Sequence, residues 1–416
     1  DASFNSDILS YGNFKQYGFE KLNRPSPSGS YTETADFSTH NTTGFSNEYN
    51  YAPVISDDGS RILAIKNTDN AVKVIDTATN LAIATLSGSS GNYNVTNNNV
   101  ISYHSISADG KTVFLSEYGT LTSGMFRTYG YIHIHKQGSD GNWTKWTNSH
   151  TGQYHPTPGS LCPNGNVAAM YEGGSYNKLH FYRYNGTTWD NNGEFTMGSW
   201  SGYSRGIFSN DGKYFLVRHT DTQYKLYESD TVDGTWSLNR TITHTSYQFN
   251  NTHTNRIAMS FTDDNLLYAI GNGTTDIKIY TTANSLDSCT ITNNAQYTVE
   301  LSGDANYGGY YLLYSSGTAI SIKHISDTAN WTTASNWTAF KTISPGFSNN
   351  TYLTAKMTPD STKVLVSNRY ADIKLLTIPA VQIDGPNLAI KLTINKREKQ
   401  TFSPRKTEPT KSSCSL

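Results

Sequence analysis

The stretch 56-SDDGSRILAIKNTDNAVKVIDTATNLAIATLSG-88 decides the fold of this chain. Asp58-Gly59 is typical of a tight turn, because glycine accepts the left-handed backbone that such turns need. Apolar and alternating runs follow, separated by polar turns, and each is short enough for a strand. The three strands that these runs predict cover residues 61–65, 71–75 and 81–86. The stretch therefore predicts antiparallel strands joined by tight polar turns.

The same pattern recurs along the chain. An apolar strand, an Asp-containing turn and a second strand return with a mean period near fifty residues, which is typical of propeller repeats. The turns lie near residues 58, 109, 164, 211, 264, 304 and 360. Apolar segments ahead of six of these turns predict the innermost strand of the repeat: 51-YAPVI, 100-VISYHSI, 203-YSRGIF, 256-RIAMSF, 297-YTVEL and 352-YLTAKM.

A second feature supports the register of the repeats. In four of them a short polar loop and a tryptophan follow the third strand, and this predicts that the tryptophan opens the outermost strand. Such a ring would cover a blade edge that otherwise exposes its backbone. The alternative is that these residues stack on sugar rings of a glycan. The four tryptophans are Trp143, Trp189, Trp236 and Trp331.

Together the repeats predict an all-β fold, a seven-bladed β-propeller with four-stranded antiparallel blades and extended N- and C-terminal arms. The expected division is an N-terminal arm over residues 1–45, the propeller over 46–380, and a C-terminal strand with a basic, flexible tail over 381–416. Two segments compete to supply the outer strand that closes the ring. They are residues 31–37 and the alternating stretch 388-LAIKLTI-394.

The first repeat resembles a known family. Its segment 72-VKVIDTATN-80 and its SDDG turn are similar to the YVTN-type β-propeller repeat. The close match covers about one blade, since the later repeats keep only the turn and the order of strands. The resemblance implies the propeller fold, and it implies no single function because the family includes surface-layer proteins, adhesion modules and a few enzymes.

Composition limits the possible partners. The formal net charge is −1 and only 16% of the residues are charged, so nothing draws the whole chain to nucleic acid. No apolar run reaches the length of a membrane helix. Three scattered cysteines, Cys162, Cys289 and Cys414, make neither a disulfide framework nor a CxxC metal site. Residues 396–416 carry a net charge of +4 and are expected to be a disordered tail or an arm that reaches a neighbouring subunit.

The most plausible binding site is the axial funnel, where the inner strands converge. Polar rings and cations at or before those strands are Tyr51, His104, His155, Arg205, His253 and Arg256. The alternative is that they line a water-filled channel. His133 and His135 lie on one face of a strand and are expected to be packing residues, because the third and fourth ligands of a zinc site are not visible nearby.

We expect no catalytic residues, no metal and no cofactor. The favoured function is a non-enzymatic surface or assembly module, outside a cell or on a virus particle, that binds a protein or glycan partner or assembles through its arms. Few charges, an Asn- and Thr-rich sequence and the two arms motivate this expectation. The alternatives are a lactonase- or lyase-like enzyme with an axial site, and a glycan-binding lectin.

Overall fold

The computed structural model describes 20 segments of the chain, and all structural statements concern these residues. The segments are 22–40, 53–66, 71–87, 101–118, 121–122, 126–127, 130–150, 159–172, 178–197, 206–220, 223–230, 234–243, 259–271, 276–283, 287–292, 295–306, 308–316, 318–348, 353–368 and 372–383.

Two strands precede the first blade, and each later blade is a run of strands in chain order. The first two are β1 (Leu22–Pro25) and β2 (Thr32–Asp36), followed by a 3-10 turn (Ser38–His40). Blade 1 comprises β3 (Val54–Ile55), β4 (Arg61–Lys66), β5 (Ala71–Asp76) and β6 (Leu81–Ser87). Blade 2 comprises β7 (Ile101–Ile106), β8 (Thr112–Tyr118), β11 (Gly130–Gln137) and β12 (Trp143–His150), with a small hairpin of β9 (Leu121–Thr122) and β10 (Phe126–Arg127) inserted after β8.

The middle blades follow the same plan. Blade 3 comprises β13 (Gly159–Leu161), β14 (Val167–Glu172), β15 (Lys178–Tyr184) and β16 (Trp189–Thr196). Blade 4 comprises β17 (Gly206–Phe208), β18 (Tyr214–Arg218), β19 (Gln223–Ser229) and β20 (Trp236–Thr243). Blade 5 comprises β21 (Met259–Phe261), β22 (Leu267–Gly271), β23 (Asp276–Thr281) and β24 (Ser288–Thr292).

The last two blades complete the ring. Blade 6 comprises β25 (Ala295–Asp304), β26 (Gly309–Ser316), β27 (Ala319–Ile325) and β28 (Thr338–Ile343), with 3-10 turns at Thr328–Asn330 and Ala334–Asn336 before its last strand. Blade 7 comprises β29 (Thr354–Met357), β30 (Lys363–Ser367) and β31 (Ile373–Thr377), and its outer strand is β2. A final strand, β32 (Ala380–Ile383), pairs with β1.

The prediction of a seven-bladed, all-antiparallel propeller is confirmed. Each blade is a four-stranded sheet, and the seam is closed by β2, which pairs antiparallel with β31. Of the two segments that competed for this place, the N-terminal one therefore holds it. Residues 388–394 lie outside the described residues.

Five of the turns share one hydrogen-bonded unit that sets their shape. In blade 2, Ser107 Oγ donates to Asp109 Oδ1 at 2.7 Å and accepts the backbone N–H of Thr112 at 2.9 Å. The residue after the aspartate, Gly110, has a φ of 69°, which favours glycine. The same unit recurs in blades 1, 4, 5 and 7, starting at Ser56, Ser209, Thr262 and Thr358.

The apolar core is a ring of seven clusters, and each cluster is shared by two neighbouring blades. At the seam, Ile62 and Ile75 of blade 1 pack with Leu365 and Ile373 of blade 7 around the buried ring of Phe37, which directly follows β2. The seam therefore has the same kind of apolar interface as the other six.

The predicted place of the tryptophans is right in three repeats and wrong in the fourth. Trp143, Trp189 and Trp236 each begin the outer strand of a blade. Trp331 follows a 3-10 turn instead, and Trp337, the last residue before β28, is the buried one. The reason is an insertion of two 3-10 turns between β27 and β28, which the Trp337 indole fastens by donating to the Trp331 carbonyl at 2.9 Å.

Candidate functional site

Each blade presents one inner-strand side chain at an equivalent position, two residues before the residue that begins the turn. Two of these side chains reach the next blade: Ser260 Oγ of blade 5 lies 3.1 Å from the Leu301 carbonyl oxygen of blade 6, and Ser105 Oγ of blade 2 accepts the Leu161 N–H of blade 3 at 2.9 Å. The set in ring order is Val54, Ser105, Ser160, Ile207, Ser260, Glu300 and Lys356. At this position only blades 6 and 7 carry a charged residue.

Glu300 and Lys356 form an ion pair between the inner strands of these two blades. Lys356 Nζ lies 3.3 Å from Glu300 Oε2, which also accepts a hydrogen bond from Ser260 Oγ at 3.1 Å. The Glu300 side chain is 16% exposed and that of Lys356 is 35% exposed. The network links blades 5, 6 and 7 around the axis.

Burial and the neighbouring charges set the protonation of this pair. Burial raises the pKa of Glu300, and Lys356 partly offsets that rise. Burial alone would lower the pKa of Lys356, but the carboxylates of Glu300 and Asp57 outweigh it and raise that pKa. Lys356 is therefore held as an ammonium ion at neutral pH, a cation rather than a nucleophile or a base.

A second group of charges lies on the turns nearest to this pair. Burial raises the pKa of Asp263 well above its usual value, although the N–H of Gly303 donates to it at 2.7 Å and Arg24 also favours its charged form. Arg24, on β1, is buried and influences both Asp263 and Asp304. The N-terminal strand thus carries a guanidinium to the same end of the ring as the buried carboxylates.

The sequence predicted a different set of residues for the axial funnel. Of that set the structure describes only His104, which lies half-buried on the inner strand β7 of blade 2. The other five, Tyr51, His155, Arg205, His253 and Arg256, lie outside the described residues. The prediction of a funnel site built from them is untested, and the axial charges found on β25 and β29 were not predicted.

The tryptophans predicted to stack on glycans differ in their exposure. Trp189 and Trp236 are buried, and Trp236 stacks on Phe181 of the preceding blade with ring centroids 4.3 Å apart. Trp143 and Trp331 are half-buried; Trp143 packs against the cluster between blades 1 and 2, and Trp331 against the cluster between blades 5 and 6. Burial favours the structural interpretation for the first two, and glycan stacking stays a prediction.

The two histidines of β11 are packing residues. His133 and His135 are buried, and His133 Nδ1 lies 2.9 Å from Thr147 Oγ1 on the neighbouring strand. Burial, with smaller effects from His133 and Lys145, lowers the pKa of His135 to about 3. Within the described part of the chain, no group of three or more His, Cys, Asp or Glu side chains is placed to hold a metal ion.

The rim of the disc holds a second candidate site, on the outer strand of blade 1. Leu81 is 63% exposed, Ile83 is 43% exposed, and Ala82 between them is also exposed. We call these three residues the rim ridge. A register shift in the pairing of β5 with β6 leaves Ile83 as an extra, unpaired residue, so three consecutive side chains face solvent.

The other outer strands differ from β6 in their charged residues or in the burial of their apolar side chains. Five of them carry at least one charged residue: Glu33 and Asp36 on β2, Lys145 on β12, Asp190 and Glu194 on β16, Arg240 on β20, and Lys341 on β28. β24 has no charge, but its apolar side chains, Cys289 and Ile291, are buried. Among the described outer strands, β6 alone combines the absence of charge with exposed leucine and isoleucine, a combination that usually marks a contact surface.

No protein-family model matches this sequence, and no curated protein matches it either. The described helical segments include none that is long and apolar enough to cross a membrane. The fold is that of a propeller repeat protein, and the two candidate sites rest on the geometry of this chain alone.

Proposed function

We propose that this chain is a non-enzymatic assembly module, on a virus particle or outside a cell, whose propeller is a rigid frame for contacts with other copies of itself. The observation that carries the proposal is the rim ridge. Burying Leu81 and Ile83 against an apolar partner would stabilise a contact by about 2 kcal/mol each at most. Neither side chain contributes to the apolar clusters between the blades, so the ring does not need them.

The sequence contains a suitable occupant for this surface. In 388-LAIKLTI-394 the apolar residues Leu388, Ile390, Leu392 and Ile394 alternate, which predicts a segment with one apolar face. The place that this segment could have filled in blade 7 is held by β2. We therefore assign the rim ridge of one copy to the 388–394 segment of another.

The finer family assignment also belongs to this proposal. The match of residues 72–80 to the YVTN-type repeat supports a common origin of blade 1 with proteins that include surface-layer and adhesion modules. A shared fold alone does not establish a shared function. The proposal therefore rests on the rim ridge and not on the resemblance.

One observation favours a second candidate, an enzyme with an axial site. The raised pKa values of Asp263 and Glu300 are of the kind found at functional sites, although structural ion pairs produce them as well. A stoichiometric divalent ion in the purified protein, lost in a Glu300→Gln variant, would favour this candidate over the assembly module.

The direct test of the assembly module is sedimentation velocity of the full-length chain over a wide range of concentration. We expect reversible association that Ile83→Lys abolishes, because a charge at the ridge would be buried in the contact. Leu238→Lys is the matched control, since Leu238 is 47% exposed on the outer strand of blade 4. A wild-type chain that stays monomeric throughout would refute the proposal.

A further inference from the structure

Three Asn-Gly pairs lie among the described residues, and they differ in one respect that matters chemically. They are Asn164-Gly165, Asn185-Gly186 and Asn192-Gly193, and a fourth pair, Asn272-Gly273, lies outside the described residues. In such a pair the glycine nitrogen can attack the asparagine Cγ. This closes a five-membered succinimide and releases ammonia, and water then opens the ring to aspartate or isoaspartate.

In two of the pairs the glycine N–H is already used. Gly165 donates to the Cys162 carbonyl at 2.9 Å, and Gly193 donates to Asn191 Oδ1 at 3.0 Å. Gly165 is also buried, and a Cβ there would lie 2.7 Å from Thr112 Oγ1. Attack by either nitrogen first requires that its hydrogen bond is broken.

Gly186 is different. No hydrogen bond among the described residues uses its N–H, and no described atom beyond its two chain neighbours lies within 4 Å of the point where a Cβ would stand. The residue is exposed at the tip of the hairpin that joins β15 to β16, with a φ of 100°. Its nitrogen is therefore open to solvent base, and its lack of a side chain leaves room for ring closure.

The side chain of Asn185 is held in a polarised state. Its Oδ1 accepts the backbone N–H groups of Thr187 and Thr188, each at 2.9 Å. These two donors would stabilise the oxygen when it becomes negatively charged in the tetrahedral intermediate. Its Nδ2 donates to Asp190 Oδ2 at 2.7 Å, which places a carboxylate beside the departing nitrogen.

We propose that Asn185-Gly186 is a self-modification site, where the folded hairpin promotes succinimide formation. The Gly186 nitrogen forms a bond to Asn185 Cγ, the bond from Cγ to Nδ2 breaks, and ammonia leaves. The proton of the Gly186 amide passes to solvent base, and the leaving nitrogen gains a proton from solvent, relayed by Asp190. Water then opens the ring at one of its two carbonyls. Attack at Cγ leaves aspartate, with a carboxylate where the amide was, and attack at the former main-chain carbonyl of residue 185 leaves isoaspartate, with the carboxylate on that carbon.

The product differs from the starting structure in charge. In the aspartate product the new carboxylate would face Asp190, where Nδ2 donated before, so an attraction becomes a repulsion at the base of the hairpin. The modification would thus add one negative charge to the rim of blade 3 and loosen the turn between β15 and β16.

Peptide mass spectrometry of the full-length chain, incubated at mildly alkaline pH, tests this. Conversion adds about 1 Da, because ammonia is lost and water is gained. We expect Asn185 to convert about tenfold faster than Asn164 and Asn192 in the folded protein. In strong denaturant the three rates should converge, because every glycine N–H is then free.

Two further results decide the outcome. Asp190→Asn should slow conversion at residue 185 and leave the rates at the other two asparagines unchanged. Equal conversion rates at the three asparagines in the folded protein would overturn the proposal. A faster rate at Asn185 that persists in denaturant would also overturn it, since the local sequence would then explain the difference.

Discussion

Blades 1 and 7 are neighbours across the seam, and their outer strands are built in opposite ways. β2 of blade 7 comes from the N-terminal segment and presents charge to solvent, with Glu33 Oε2 2.9 Å from Lys374 Nζ. Phe37 directly follows this strand, and its ring is fully buried between the two blades. β6 of blade 1 has no charge and exposes Leu81 and Ile83.

The comparison distinguishes apolar residues that stabilise the interfaces between blades from apolar residues that take no part in those interfaces. Phe37 fills an interface between blades, so its role is explained by the fold. Leu81 and Ile83 fill none, and water faces them instead of a neighbouring blade. An uncharged, apolar edge is a liability for a lone molecule, and a contact surface is the simplest reason for one.

The largest expected difference comes from truncating one buried residue at the seam and one exposed residue of the rim ridge. Phe37→Ala should lower the free energy of unfolding by about 3–5 kcal/mol, because it opens a cavity at the seam. Leu81→Ala should change it by no more than about 0.5 kcal/mol. Urea denaturation followed by tyrosine and tryptophan fluorescence measures both, and similar losses for the two variants would contradict the contrast.

The contrast between the two blades extends to the axis, where blade 7 carries Lys356 and blade 1 carries Val54 at the equivalent position. Lys356→Met should lower the free energy of unfolding by about 2 kcal/mol, because the carboxylate of Glu300 loses its neighbouring cation. The loss is smaller than that for a fully buried pair, since the Lys356 side chain is 35% exposed. Adding Glu300→Leu should recover most of the loss. A double variant as unstable as the single one would show that the pair is not the cause.

A pH-dependent effect is expected at the far end of β6, where His135 of blade 2 hydrogen-bonds to the backbone of Ser87. Burial lowers the pKa of His135 from 6.5 to about 3, so the folded state favours the neutral ring. This stability is complete above pH 6.5 and falls by about 1.4 kcal/mol per pH unit below it, until the folded pKa is reached. The measurement is urea unfolding of wild type and His135→Gln between pH 7 and about 4.5. Parallel pH profiles for the two proteins would contradict the assignment.

Much of the fold could be predicted from the sequence because the turns have local chemistry. In five of the turns a hydroxyl residue lies two positions before an aspartate and fixes the turn through short hydrogen bonds, as at Ser107 and Asp109. The residue after the aspartate has a positive φ, as at Gly110. Blade 3 lacks the hydroxyl, since Cys162 replaces it, and its inner strand begins at Gly159 without an apolar run. That strand was not predicted for this reason.

The axial pair could not be predicted in the same way. Glu300 and Lys356 lie on inner strands of different repeats, and only closure of the ring brings them within 3.3 Å. The sequence contained one indication of this pair. When the repeats are aligned on their turns, the equivalent inner-strand position carries a charged residue in only two of them, those of Glu300 and Lys356. The pairing of β1 with β32 likewise depends on contacts between the two ends of the chain.

The central claim, that the rim ridge of one copy binds the 388–394 segment of another, is tested most directly by mixing two defective full-length variants. Ile83→Lys disables the ridge, and Ile390→Lys disables the segment. Each variant alone should sediment as a monomer, whereas an equimolar mixture should form heterodimers, because one intact ridge then meets one intact segment. A mixture that stays monomeric while the wild-type chain associates would contradict the claim.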